Sequence, residues 1–168
     1  NKNNILDRFF RTGIYKKDKV FATMSPSMDI QIASNFERLL YDITNESGEK
    51  VSEFMNSFNE KGIIKVEKKH YERAKESFVS FSVNETDTKK IIKKTYNKFN
   101  MVIDPHTAVG LEASGKYLDE YPNDIVVTLA TAHPSKFSQS VNSILGFDPN
   151  LPLGYKNILN LQENYQVI

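Results

Sequence analysis

Cysteine is absent from this 168-residue sequence, and glycine is sparse. Without cysteine the chain can form no disulfide and no thiolate ligand or nucleophile, which fits a reducing cytosol. The seven glycines stand singly, so neither a P-loop nor a dinucleotide-binding fingerprint occurs. No apolar run approaches the ~20 residues that cross a bilayer, and the first residues lack the apolar core of a signal peptide. We therefore expect a cytoplasmic protein with no membrane partner.

Neither sign of charge dominates the chain. Lysine and arginine total 22 against 21 aspartates and glutamates, so the net charge of +1 gives no general reason to bind nucleic acid. Hydrophobic residues make up 39% of the chain, which is ordinary for a globular protein. The composition predicts one folded domain over residues 1–168. Because the first residue is Asn1 rather than methionine, we expect the chain to be a piece of a longer protein.

Apolar residues at helical spacing predict helices in the first two thirds of the chain. The clearest begins at Ser34, where Ser-Asn-Phe-Glu has the form of a capping box. The others cover residues 3–12, 51–58, 70–78 and 84–99. Residues 44–100 are thus predicted to be a helical insertion. The lysine run within 89–98 is interpreted as a solvated helix face, because no aromatic pattern for nucleic acid is interleaved with it.

Short β-branched or apolar runs alternate with these helices. Residues 20–24, 102–103 and 124–130 are predicted strands, and the last is a continuous apolar run typical of a parallel strand covered on both faces. Asp104-Pro105 predicts the start of a helix that runs to about residue 118, and another helix is predicted over 137–145. Repeated strand and helix units predict an α/β fold with a largely parallel sheet flanked by helices.

Three polar loops follow the predicted strands, at residues 25–29, 104–107 and 131–133. Ligands of open α/β sheets bind beyond the carboxyl ends of the strands, so these loops are candidate site residues. Each also has a purely structural interpretation. Ser25, Ser27 and Asp29 can satisfy turn or capping groups, Asp104 can cap its helix, and a single histidine is more often packed than functional.

A serine hydrolase built from Ser27, His133 and Asp104 is an alternative interpretation. The chain has no G-x-S-x-G nucleophile elbow to support it. No metal site is predicted, because the three histidines, at positions 70, 106 and 133, lack ligand spacing and no cysteine assists them.

Four sequence blocks occur in order along the chain: ATMSPSMDI at 22–30, SNFER at 34–38, DPHTAVG at 104–110 and TAHPSKF at 131–137. Together they resemble the blocks of threonine synthase of the bacterial and fungal type, with Ser135 where the family usually has alanine. Residues 3–9 also resemble the family's helix after the cofactor-phosphate loop. The resemblance is strong over roughly half the chain and loose over residues 44–100.

The resemblance implies a fold-type-II pyridoxal-phosphate (PLP) enzyme and a C-terminal part of its catalytic domain. Such an enzyme converts O-phospho-L-homoserine and water into L-threonine and phosphate, with PLP as the electron sink. The resemblance places Thr131 at the pyridine nitrogen of PLP and Asp104 and His106 near the ring and its phenolic oxygen. It places four further residues near the substrate pocket: Ser25, Ser27, Asp29 and Asn35.

The chain lacks two motifs of that family. The family's Schiff-base lysine lies in its N-terminal half, and its glycine-rich phosphate loop lies just before the helix that residues 3–9 resemble. Neither motif occurs here, so no catalytic residue is assigned in this chain. The chain also stops at Ile168, short of the family's C-terminal end. We expect its partner to be the missing N-terminal part of the same enzyme, and we expect the chain alone to be inactive and to bind PLP weakly at best. The alternative is a non-catalytic module that binds an amino acid or a protein.

Overall fold

The computed structural model describes residues 1–167, which contain seven α-helices and two short strands. Three single-turn 3-10 helices lie at Pro26–Met28, Pro134–Phe137 and Ile158–Asn160. The elements occur in the order α1 (Ile5–Thr12), β1 (Ile14–Lys16), α2 (Phe36–Ile43), α3 (Gly48–Lys61), β2 (Ile63–Lys65), α4 (Lys68–Ser77), α5 (Glu85–Phe99), α6 (Pro105–Glu120) and α7 (Ser138–Leu145).

The first hydrophobic core lies among α1 to α4 and the β1–β2 pair. Its centre is aromatic: the buried Tyr15 ring stacks on Phe36 with 4.1 Å between centroids, and Phe9 meets Phe36 edge-on at 4.7 Å. The Tyr15 hydroxyl accepts the Ala33 N–H at 2.8 Å, which fixes the chain just before α2. Aromatic pairs of this geometry stabilise a core beyond the area that they bury.

A glycine at the end of α1 makes the turn into β1 possible. Gly13 has φ +71°, a left-handed conformation that side chains disfavour, and a Cβ there would lie 3.2 Å from the Tyr71 ring. Strand β1 then pairs antiparallel with β2, with Ile14 opposite Lys65. This pairing joins the start of the chain to the middle of the predicted helical insertion.

The second core lies among α5, α6 and α7. It contains Ile92, Ile103, Ala108 and Ile144, all at most 8% exposed. The helices around it begin where the sequence predicts. Asn84 caps α5 by accepting the Asp87 N–H, and the helix predicted to start at Asp104-Pro105 begins there.

The predicted parallel sheet is not formed within residues 1–167, where the sheet consists of β1 and β2 alone. Residues 20–24, 102–103 and 124–130, predicted to be strands, have no ladder partner in this part of the chain. A strand requires a neighbour for its backbone groups. Without one, the run at 124–130 leaves its apolar side chains uncovered: Ile125 is 95% exposed and Val127 80%. Among the described residues no helix is long and apolar enough to span a membrane.

Candidate functional site

The candidate site is built around the first turn of α6, where the three predicted loops meet. Asp104 caps this helix and its side chain is completely buried. Its Oδ1 accepts the His106 N–H at 2.9 Å, and its Oδ2 accepts the Thr107 N–H at 3.3 Å. These bonds satisfy two of the free N–H groups at the start of α6, and the carboxylate also suits the positive end of the helix dipole.

The same carboxylate binds two side chains of that first turn. Oδ1 lies 2.8 Å from Nδ1 of His106, and Oδ2 accepts the hydroxyl of Thr107. Each oxygen of Asp104 therefore has two donors, one from the backbone and one from a side chain. Because His106 is only 5% exposed and Thr107 only 7%, neither partner can exchange this bond for water without moving.

His106 connects Asp104 to the loop at residues 25–29. The Ser27 N–H donates to Nε2 of His106 at 3.1 Å, so Nε2 must carry a lone pair. The proton of the neutral ring is therefore assigned to Nδ1, where it is donated to Asp104. The ring also packs against Phe137, with 4.4 Å between centroids. These contacts fix the ring in both position and tautomer.

Thr107 connects Asp104 to the loop at residues 131–133. Its Oγ1 accepts the Thr131 N–H at 3.1 Å while it donates to Asp104. The Thr131 side chain is exposed, and within residues 1–167 its hydroxyl makes no hydrogen bond. The backbone of Thr131 is thus held, while its hydroxyl remains available to a ligand.

A second carboxylate, Asp29, holds the 25–29 loop in shape. Its Oδ1 accepts the amide groups of Asn1 and Asn3 at 3.0 and 2.8 Å and the hydroxyl of Thr23 at 2.6 Å. Its Oδ2 accepts the Thr23 N–H at 2.7 Å. Ser25, next to this cluster, has no exposed surface. The buried Ser25 and the partly buried Asp29 therefore support the loop through contacts within the chain.

Ser27 is an exposed polar residue of this loop. It lines a cavity of about 250 Å³ together with Asn3, Met28, Phe81 and Val109. Asn35, also predicted to be near the substrate, precedes α2 and lines a separate apolar hollow beside Phe36 and Phe78. The structure thus brings Ser27, His106, Asp104 and Thr131 into one connected group and leaves Asn35 outside it.

Thr107 was not singled out from the sequence. It occupies the third position after the cap residue Asp104, the position from which a side chain returns to the N-cap in a capping box. That D-x-x-T spacing is the sequence signal that predicts the contact with Asp104. No local pattern predicts the contact with Thr131, which lies 24 residues away.

The serine hydrolase interpretation is wrong. A triad requires the nucleophile's hydroxyl to donate to a histidine whose other nitrogen binds the acid. Here His133 binds Ser135 at 2.8 Å, and Asp104 binds His106 instead. The Nε2 of His106 is occupied by the Ser27 backbone N–H, so it cannot accept the Ser27 hydroxyl proton.

Comparison with known proteins extends the likeness to the whole chain. The family model "Threonine synthase, C-terminal" matches residues 107–168. Threonine synthase of Pseudomonas aeruginosa is 36% identical over 169 residues, covering 100% of this chain and 36% of that protein. Threonine synthase of Saccharomyces cerevisiae is 40% identical over 161 residues, covering 86% of this chain and 31% of that protein.

A solved structure shows the same likeness as the sequence comparisons. The X-ray structure of PLP-bound threonine synthase from Brucella melitensis superposes on 100% of this chain and 36% of its own, with a TM-score of 0.87 at 31% identity. The resemblance to threonine synthase is confirmed. The α/β fold class is confirmed with it, although the sheet within residues 1–167 is small. The chain spans about a third of the length of the threonine synthases that it matches.

Proposed function

We propose that this chain is part of a threonine synthase, which converts O-phospho-L-homoserine and water into L-threonine and phosphate. The observation that carries the proposal is the likeness of the entire chain to PLP-bound threonine synthase, at a TM-score of 0.87. The arrangement around α6 adds support. A buried hydrogen-bond network joins the loops at 25–29 and 131–133, and the two residues that it holds there, Ser27 and Thr131, have exposed side chains.

The residues of this chain fit PLP at Thr131. The Thr131 hydroxyl is exposed and has no hydrogen-bond partner among residues 1–167, and its backbone is held by Thr107, so it suits a hydrogen bond to the pyridine nitrogen. PLP supplies an electron sink for carbanions when it is bound. In this assignment Thr131 orients the ring from its nitrogen edge, since a neutral hydroxyl can donate to that nitrogen without fully protonating it.

The other predicted ligand residues divide into two groups in the proposal. Ser27 is assigned to substrate binding, because it is exposed and lines the cavity. Asn35 keeps that assignment from the family resemblance alone, since it lines a separate hollow. Ser25 and Asp29 are assigned to shaping the substrate loop, because Ser25 is buried and Asp29 binds four donors from within the chain. The loop then presents a fixed backbone to the phosphorylated substrate.

The chain requires the rest of the enzyme as its partner in this proposal. It contains no motif for the Schiff-base lysine, and the extended run at 124–130 has apolar side chains exposed on alternate positions, such as Ile125, Val127 and Leu129. Such a run is suited to pairing with strands of the remaining polypeptide. We therefore expect the isolated chain to have no synthase activity.

Thr131→Val tests the assignment in the full-length protein, meaning the polypeptide encoded by the whole reading frame around this chain. Valine is nearly isosteric and residue 131 is exposed, so the melting temperature should change little. We expect a shifted PLP absorption band and turnover reduced roughly tenfold, the factor for one lost hydrogen bond of ~1.4 kcal/mol. Thr131→Ser is the matched control, because it keeps the hydroxyl. An unchanged band and rate in Thr131→Val would refute the assignment.

The alternative function, a binding module without catalysis, differs from the proposal in what precedes Asn1. Sequencing the DNA upstream of the Asn1 codon separates them. A glycine-rich phosphate loop immediately upstream and a lysine motif farther back support the enzyme. A start codon directly before Asn1 means a protein without the lysine and supports the binding module.

A further inference from the structure

We infer that Asp104, His106 and Thr107 form a positioning relay that fixes the substrate loop and Thr131 relative to each other. The relay consists of these three residues and ends at two backbone N–H groups, those of Ser27 and Thr131. Its effect on turnover rests on the proposed function. Its hydrogen bonds are a property of the fold and can be measured without any activity.

The first arm of the relay runs from Asp104 through His106 to Ser27. Its two hydrogen bonds are 2.8 and 3.1 Å long, and the second, between His106 and Ser27, joins residues that are 79 positions apart in the chain. The imidazole can make both bonds at once only as the Nδ1–H tautomer. Asp104 selects that tautomer, because its carboxylate can only accept a proton at Nδ1. The Ser27 backbone is therefore held by a group whose orientation depends on Asp104.

The second arm runs from Asp104 through Thr107 to Thr131. The Thr107 hydroxyl has one proton, which it gives to Oδ2, so its lone pairs face the Thr131 N–H. Across residues 125–132 the structure has one other hydrogen bond to a distant residue, between the hydroxyls of Thr128 and Ser114. Thr107 is thus the contact that sets the backbone of Thr131 itself.

Both arms depend on the orientation of one carboxylate. Oδ1 serves the histidine arm and Oδ2 the threonine arm, so a rotation of the Asp104 side chain disturbs both together. The carboxylate has no exposed surface, and charge-assisted hydrogen bonds to a buried group are among the strongest in proteins. The relay therefore sets the distance between the substrate side and the cofactor side of the site.

Helix capping alone does not require this arrangement. An N-cap carboxylate needs only the backbone N–H groups of the next two or three residues. Here the side chains at the second and third helical positions, His106 and Thr107, also bind the cap, and each then binds a different loop. Under the proposed function these residues act through Ser27 and Thr131 and are positioning residues.

Hydrogen exchange of two backbone amides tests the relay in the full-length protein. Thr107→Val removes the acceptor of the Thr131 N–H, so we expect exchange at Thr131 to accelerate about tenfold, equivalent to ~1.4 kcal/mol. Because Asp104 loses a donor on Oδ2, we also expect faster exchange at Ser27, on the opposite arm. Thr107→Ser should restore both rates.

Thr88→Val is the matched control. Thr88 is a buried threonine of α5 whose hydroxyl bonds to the Asn84 carbonyl at 2.9 Å, away from the relay. This variant loses a comparable hydrogen bond, and we expect unchanged exchange at Ser27 and Thr131. Acceleration at Thr131 alone in Thr107→Val would overturn the inference, because the two arms would then be independent.

His106→Asn separates the two arms. The asparagine amide is expected to reach Asp104 in place of Nδ1 but not to accept the Ser27 N–H. Under the proposed function this variant should raise KM for O-phospho-L-homoserine about tenfold, equivalent to ~1.4 kcal/mol, with a smaller change in the PLP band. Thr107→Val disturbs both arms, so it should shift the PLP band and lower kcat as well as raise KM. Equal effects of both variants on KM and kcat would overturn the assignment of the arms. A full-length protein without a PLP band would refute the proposed function, while the exchange rates would still decide the relay.

Discussion

Replacing Tyr15 by phenylalanine isolates one hydroxyl in the first core. The ring keeps its contacts with Phe36 and Phe58, whose centroids lie 4.1 and 5.0 Å away, so no cavity is expected. What is lost is the oxygen that accepts the Ala33 N–H at 2.8 Å. Leaving such a donor without a partner costs about 1–3 kcal/mol when it is buried. Since Ala33 is only half-buried, we expect about 1–2 kcal/mol.

Urea unfolding of the 168-residue chain, followed by circular dichroism, measures this cost. With a slope of roughly 2 kcal/mol per molar urea for a domain of this size, the midpoint should fall by roughly 0.5–1 M at constant slope. Tyr41→Phe is the control, because Tyr41 is 44% exposed, and its midpoint should stay near that of the wild type. Equal midpoints for the two variants would refute the reasoning.

We also expect the difference in stability between the wild type and Tyr15→Phe to depend on pH. Burial raises the pKa of Tyr15 above its ordinary value of 10.0. The unfolded chain therefore loses this proton at a lower pH than the folded chain. The stability that Tyr15 contributes is present below pH 10 and falls as the pH rises above it. Tyr15→Phe lacks this loss, so the stability difference between wild type and variant should narrow above pH 10. A constant difference would contradict the assigned burial.

Two further predictions concern the surface. Hydrogen bonds from Lys69 and Lys50 lower the pKa of Glu67 below its ordinary value of 4.5. The contribution of Glu67 to stability is therefore present above pH 4.5 and is lost on acidification. Glu67→Gln should reduce the loss of stability below pH 4.5, and an unchanged loss would contradict the ion pairs. Val127→Asp should change the free energy of unfolding of the isolated chain by less than about 0.5 kcal/mol, because the side chain is 80% exposed, but should strongly lower the soluble yield of the full-length protein. A normal yield would contradict the proposed burial of residues 124–130.

Helices were predictable from the sequence because their signals are local. The spacing of apolar residues and the caps at Asn84 and Asp104 lie within one or two turns of the elements that they start. Strands β1 and β2 were missed, since each has only three residues and the pairing partners are about fifty positions apart. The run at 124–130 has the composition of a buried strand, but its state in this structure depends on neighbours that residues 1–167 do not provide.

In the candidate site, too, local features were predictable from the sequence and long-range contacts were not. Local sequence predicted that Asp104 caps α6 and that the 25–29 and 131–133 loops are polar, and the family resemblance drew attention to Thr131. The contacts of His106 with Ser27 and of Thr107 with Thr131 join distant parts of the chain, and no periodicity encodes them. The roles of these residues in ligand binding remain predictions.

The most direct measurement is product formation by the full-length protein and by the 168-residue chain, each supplied with PLP and O-phospho-L-homoserine. Threonine and inorganic phosphate are quantified together. The proposal predicts equimolar release of both products by the full-length protein and none by the chain alone. Absence of threonine with a full-length protein that folds and binds PLP would contradict the proposed activity.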